Sequence, residues 1–199
     1  MFALIALFLL FAFLVLGGGV RVWIQRRRTG DSGVRRPTTP VQLWSRATFG
    51  VGILLAGAAA PASELLGVPA LSILDRPVVR VAGVVVSVIG LLATFGAQLA
   101  MGDSWRSTVD LTERPALVTD GPFRIVRNPV YTAVIMMVAG LALVVPSLIA
   151  IVGLGVVIVG SELQVRLVEE PYLRQVHDGE YLSYASHTGR FLPGLGRLT

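Results

Sequence analysis

A chain of 199 residues with 54% hydrophobic and 15% charged side chains exceeds the roughly 45–50% apolar content of soluble domains. That excludes a soluble core and points to one polytopic membrane domain. With no cysteine, disulfides and thiol chemistry are excluded, and two histidines, His177 and His187, are too few for a histidine-rich metal site, so no metal is expected. The net charge of +5 comes from seventeen arginines and no lysine. Most stand beside apolar spans, where anionic lipid headgroups would meet them, and no nucleic acid is expected as a partner.

Met1 to Val20 carries no charged side chain and is long enough to span a hydrocarbon core of about 30 Å at about 1.5 Å per residue. The arginines come after it: Arg21, Arg26, Arg27, Arg28, Arg35, Arg36 and Arg46. A secretory signal carries its basic region first, so a retained helix is expected, N-terminus outside, with a basic cytoplasmic loop. Thr38-Thr39-Pro40 and its Gly- and Arg-rich surroundings read as irregular. A second span is expected from Ala47 to Leu66, with Pro61 near its outer end. Glu64, Asp75 and Arg76 mark a short external connection, and Pro77 suits the first turn of a third helix over Val78 to Met101. There Gly83, Gly90 and Gly96 permit close helix contacts, tolerance of glycine on a lipid-facing surface being the simpler reading.

Residues 101–127 form a polar middle returned to the cytoplasm. Asn128 to Ser161 is again free of charge; as one helix it would be about 50 Å long, more than a bilayer needs. Pro146-Ser147 lies near its middle, and proline breaks or kinks a helix. The economical solution is a hairpin of two spans, Pro129–Val145 and Leu148–Val168. It brings Glu169-Glu170 to the membrane face that holds Arg124 and Arg127. The expected fold is all-α, a single membrane domain over residues 1–199 with about five transmembrane helices, N-terminus out and C-terminus in. The tail from Pro171 to Thr199 mixes Tyr172, Leu173, Tyr181, Tyr184 and Phe191 with charges and reads as a cytosolic helix packed on the core, not a sixth span.

Two constellations carry chemistry. Asn128-Pro129 is a helix start, with Asn as N-cap and Pro at the first position. Its free N–H groups, with Arg124 and Arg127 just before, make an anion site; interfacial snorkelling of the two arginines is the alternative. Glu162, Arg166, Glu169 and Glu170 share one broad face of a regular helix. They read either as a salt-bridged helix end or as carboxylates near a cationic ligand, with Arg166 facing an anionic one. Adjacent Glu169 and Glu170 cannot point the same way: one binds ligand and the other braces the fold, and spacing does not say which.

The string LVTDGPFRIVRNPVY, then RLVEEPYL, DGEYLSY and RFLP, resembles the isoprenylcysteine carboxyl methyltransferase and phospholipid methyltransferase group of integral membrane enzymes. That group shows a GPY-x-x-x-RHP-x-Y block, a membrane hairpin, an EE-x-x-L block and a Y-x-x-Y tail. The likeness covers Met101 to Pro193, so residues 101–199 would be the methyltransferase core and residues 1–100 mainly scaffold.

The resemblance implies methyl transfer from S-adenosyl-L-methionine to a lipophilic acceptor: an isoprenoid carboxylate, a lipid or an amphiphilic small molecule. Leu117 and Val118 would lie along the cofactor, beside Phe123. Asn128, Pro129, Val130 and Tyr131 would form the turn that holds it, and Glu169, with Glu170, would hold its polar groups. Arg166 would face the acceptor's anionic group, with Arg127 as a second catalytic arginine. Two positions depart from the pattern: Asn128 stands where the group has histidine and cannot titrate near neutral pH, and Phe123 replaces a tyrosine and lacks its hydroxyl. Met101-Gly-Asp-Ser-Trp-Arg106 resembles a polar stretch of bacterial members, in which Trp105 anchors at the interface or walls an acceptor tunnel. A bacterial inner membrane with a cytoplasmic site is the expected location. A carboxylate acceptor would need no general base, whereas an amine would have to lose a proton. An NADPH-dependent membrane reductase of the sterol type and a non-catalytic scaffold remain the alternatives. Oligomeric state is open.

Overall fold

Five long helices carry the chain. In the computed structural model, which describes residues 1–198, α1 runs Phe2–Thr29, α2 Pro40–Leu65, α3 Pro77–Ala100, α4 Pro129–Val144 and α5 Leu148–His187. No strand occurs among the described residues. All but α4 are long and apolar enough to cross a membrane; α4 has 16 residues, about 24 Å of helix. The α4–α5 hairpin turns at Pro146-Ser147 as expected. Ser147 caps α5 by accepting from the Ala150 amide at 3.2 Å, and the Pro146 carbonyl takes the Leu71 amide at 2.8 Å.

Several boundaries differ from the sequence reading. α2 starts at Pro40, about two turns before Ala47, because Thr39 and Gln42 form a reciprocal capping box with proline at the first position. Arg21 is not in the loop but inside α1, which continues to Thr29 and ends on Gly30 at φ 76°. α5 does not stop at Val168: the span runs on into the tail, with a kink at Asp178. Pro171 has no N–H to donate, and a π-helical turn over Val165–Glu169 precedes it and absorbs the gap. Pro61 in α2 likewise follows a π turn, Leu55–Ala59.

The helices pair through glycine. A methyl group at Gly83 would come within 2.7 Å of the Gly140 carbonyl, and one at Gly90 within 2.5 Å of the Met137 amide, so α3 and α4 touch backbone to backbone. Ser87 adds a bond to the Met137 carbonyl at 3.2 Å. Gly52, Gly153 and Gly160 do the same between α2 and α5. Lipid tails are as apolar as leucine, so membrane helices associate through such close packing. Gly83 and Gly90 therefore serve contact, while Gly96 faces open space as the simpler reading expected.

Arg80, buried near the hairpin end, donates to Glu64 and to Asp75, each at 2.8 Å. At the opposite end the chain entering α2, residues 101–128 and the tail of α5 gather into a polar cap.

Candidate functional site

A cavity of about 370 Å³ opens at this polar end, within the span of roughly 300–1,000 Å³ usual for small-molecule sites. Its inner half lies within the bundle, walled by Phe13 and Gly17 of α1, Phe49 of α2, Thr94 and Gln98 of α3 and Val134 of α4. Its outer half is formed by residues 101–128 and one face of the α5 tail, with Tyr172, His177 and Tyr181.

Residues 120–128 are shaped by the chain end. Gly121 at φ 59° opens a 3₁₀ turn, Gly121–Arg124, that buries Phe123; the Tyr184 hydroxyl donates to the Phe123 carbonyl at 2.6 Å. The Arg127 amide donates to the Gly189 carbonyl at 2.8 Å and the Asn128 amide to the Arg190 carbonyl at 3.1 Å, around a parallel bridge between Val126 and Gly189. Asn128 holds the N-cap position, but its side chain caps nothing. Its Nδ2 donates to the Arg190 carbonyl at 3.1 Å, because the tail lies where the capping contact would form. The expected anion site at this helix start is not assembled: Arg124 is exposed and Arg127 is committed elsewhere.

Arg127 is 5% exposed. Its Nη1 donates to the carbonyls of Ala185 and Thr188, and its Nη2 to Glu170 Oε1 at 2.9 Å and the Gly196 carbonyl at 3.0 Å. Arg190 spans both oxygens of the same carboxylate, Nε donating to Oε1 at 2.8 Å and Nη2 to Oε2 at 3.0 Å, and that pairing raises the Arg190 pKa above its ordinary value. Glu170 is thus a brace between two arginines and does not line the cavity.

Glu169 does line it. The Tyr131 hydroxyl donates to Glu169 Oε1, and the Tyr131 ring stands edge-on to Phe49 at 5.5 Å. The π turn separates the residues that regular α-helical spacing would have put on one face. Arg166 keeps its i,i+4 ion pair with Glu162 on the outside of the bundle, 55% exposed, while Glu169 turns inward. Arg166 is therefore not brought to the cavity. Leu117, Val118, Phe123, Asn128, Pro129, Val130 and Tyr131 all are.

Trp105 is 6% exposed and walls the cavity, so it does not anchor at an interface. The fully buried Arg21 stacks over its ring at 4.7 Å and donates to the carbonyls of Gln98 (3.2 Å) and Gly102 (2.7 Å). Beside it, Glu113 joins Arg106 to Arg35, while its carbonyl accepts the Tyr172 hydroxyl at 2.7 Å. Asp110 sits in the same cluster, its carboxyl held below the usual range chiefly by the Thr112 hydroxyl.

Four cavity-wall residues carry a buried polar atom with no partner: Gln98 Oε1, Thr108 Oγ1, His177 Nε2 and Arg127 Nε. Such atoms are costly unless something else satisfies them. Sequence reasoning missed the first three. Gln98 is a lone amide at the end of an apolar helix, which was a usable signal. His177 was weighed only as a metal ligand, and nothing around Thr108 marks it. No group of acidic or histidine side chains suited to a metal occurs among the described residues.

None of the curated proteins compared matches the chain. A family model described as phospholipid methyltransferase matches residues 78–179, just over half the chain and the stretch that holds α3, α4 and the carboxylate pair. The chain belongs to the phospholipid methyltransferase family.

Proposed function

We propose that this member of the phospholipid methyltransferase family is an integral membrane methyltransferase that uses S-adenosyl-L-methionine and methylates a lipophilic acceptor. The observation that carries the reading is Glu169, held by Tyr131, facing a two-ended cavity whose inner half is mainly apolar, with Gln98 and Thr94 as its polar exceptions, and whose outer half carries the unpartnered Thr108 and His177 atoms. A nucleoside sulfonium has a charged end and a neutral hydrogen-bonding end, and the donor set fits both. Glu169 would hold the charged groups; Leu117, Val118, Phe123 and Val130 would wall the rest and exclude water.

The bound cofactor supplies a methyl group already activated on sulfur. What remains for the protein is alignment and the exclusion of water. Tyr131 orients the Glu169 carboxylate. Arg127 and Arg190 grip Glu170, the next residue, and so set the direction of its neighbour. Pro129 and Val130 fix the start of α4 against the cavity. The acceptor would reach the inner half from the bilayer, past Phe13, Gly17 and Phe49, with the polar end in the cytoplasm.

Calorimetric titration of the detergent-purified protein tests the reading. S-adenosylmethionine and S-adenosylhomocysteine should bind, and Glu169→Gln should weaken both by about ten- to a hundred-fold, the range of a hydrogen bond to a charged group. Binding of NADPH alone would assign a reductase instead. Unchanged affinity in Glu169→Gln would remove that residue from the cofactor site.

A further inference from the structure

We propose that His177 is a cofactor-contacting residue, and that with Thr108 it forms a neutral hydrogen-bonding station for the nucleoside part of the ligand. The inference rests on the methyltransferase reading and adds residues to it. His177 Nε2 and Thr108 Oγ1 are both buried, both without a partner, and both in the outer half of the cavity wall. They come from different elements: Thr108 from the segment after α3, His177 from the α5 tail. Tyr172 ties these together through the Glu113 carbonyl at 2.7 Å. Tyr172 and Tyr181, on either side of His177 in sequence, line the same cavity. An imidazole and a hydroxyl can each donate and accept without carrying charge. They suit the hydroxyls and ring nitrogens of a nucleoside, while Glu169 suits the charged end.

A second, independent observation concerns the backbone. Asp178, the next residue, has φ 38° and ψ −115°, alone among described non-glycine residues in having positive φ. This region suits glycine, and any other residue held there is strained. Asp178 is exposed and makes no side-chain hydrogen bond or ion pair among the described residues. The strain therefore serves no contact of Asp178 itself. What it does is kink the tail at the residue after His177, at the point where the helix passes the cavity. Strained backbone of this kind gathers at ligand sites.

Titrating S-adenosylhomocysteine and 5′-deoxy-5′-methylthioadenosine, which lacks the amino-acid end, tests this. His177→Phe should weaken both ligands by the same factor, about two- to ten-fold for a neutral hydrogen bond, and His177→Gln should recover part of the loss. Asp178→Gly, which suits the observed backbone, should bind as the parent does; Asp178→Val, which does not, should lose affinity as His177→Phe does. Thermal unfolding in detergent should show each variant folded. Parent-like binding by folded His177→Phe would overturn the proposal, as would a loss confined to S-adenosylhomocysteine, which would put His177 at the amino-acid end. Binding of neither ligand by the parent protein would overturn the methyltransferase reading itself, and this inference with it.

Discussion

The two ends of the bundle both bury an arginine, to different effect. Near the hairpin, Arg80 meets Glu64 and Asp75, carboxylates 23% and 47% exposed. Among the described residues none of its buried atoms is left without a partner, and it does not line the cavity at the other end. At the polar end Arg127 and Glu170 are both almost fully buried, at 2% and 6% side-chain exposure, and the carboxylate next in line, Glu169, faces a cavity. Burying a charge pair costs more desolvation than burying it at a rim. Under the proposed function, that buried pair would hold the Glu169 side of the cavity in place. The Arg80 cluster closes a connection; the Arg127 cluster supports one that must stay open.

Substitutions should separate the two. Arg127→Met leaves a buried carboxylate with one partner and frees the tail carbonyls. It should cost about 3–5 kcal/mol, read by denaturant unfolding in detergent, and should abolish cofactor binding. Arg80→Met leaves carboxylates that can turn to water. It should cost less, about 2 kcal/mol on the scale of hydrogen bonds to charged groups, with cofactor affinity unchanged by calorimetry. Equal costs would erase the distinction.

The loop before α2 gives a smaller effect. Arg35 holds the Asp31 carboxyl at about 2, down from 3.8. The folded value lies below the unfolded one, so the stabilisation is complete above the unfolded value and is lost as pH falls through about 2. Asp31→Asn should be slightly less stable than the parent at neutral pH, and the gap should close in acid. Smallest of all, Arg166→Ala removes an exposed ion pair outside the cavity. It should change stability by under about 0.5 kcal/mol and leave both binding and turnover intact; impaired turnover would return Arg166 to the acceptor side.

Much of this architecture was legible in the sequence because it depends on local rules. Long apolar runs gave the spans, Pro146-Ser147 gave the hairpin, and the order of the motif blocks gave the family and most of the cavity wall from Leu117 to Tyr131. Thr39, Pro40 and Gln42 are equally readable as a capping box, although the composition around Thr38-Thr39-Pro40 reads as irregular. Whether Gly83 and Gly90 faced lipid or helix could not be read, since both uses have the same spacing.

The site divides along the same line. The sequence determined that a carboxylate pair, an arginine and a helix start would meet at one end of the bundle, because hydrophobic length and topology alone bring them there. Only the tertiary structure decided which carboxylate faces the cavity. A π turn before Pro171 rotates Glu169 inward, leaves Arg166 outside and hands Glu170 to two arginines from distant parts of the chain. Spacing rules assume a regular helix, and a single widened turn is enough to change the faces its residues occupy.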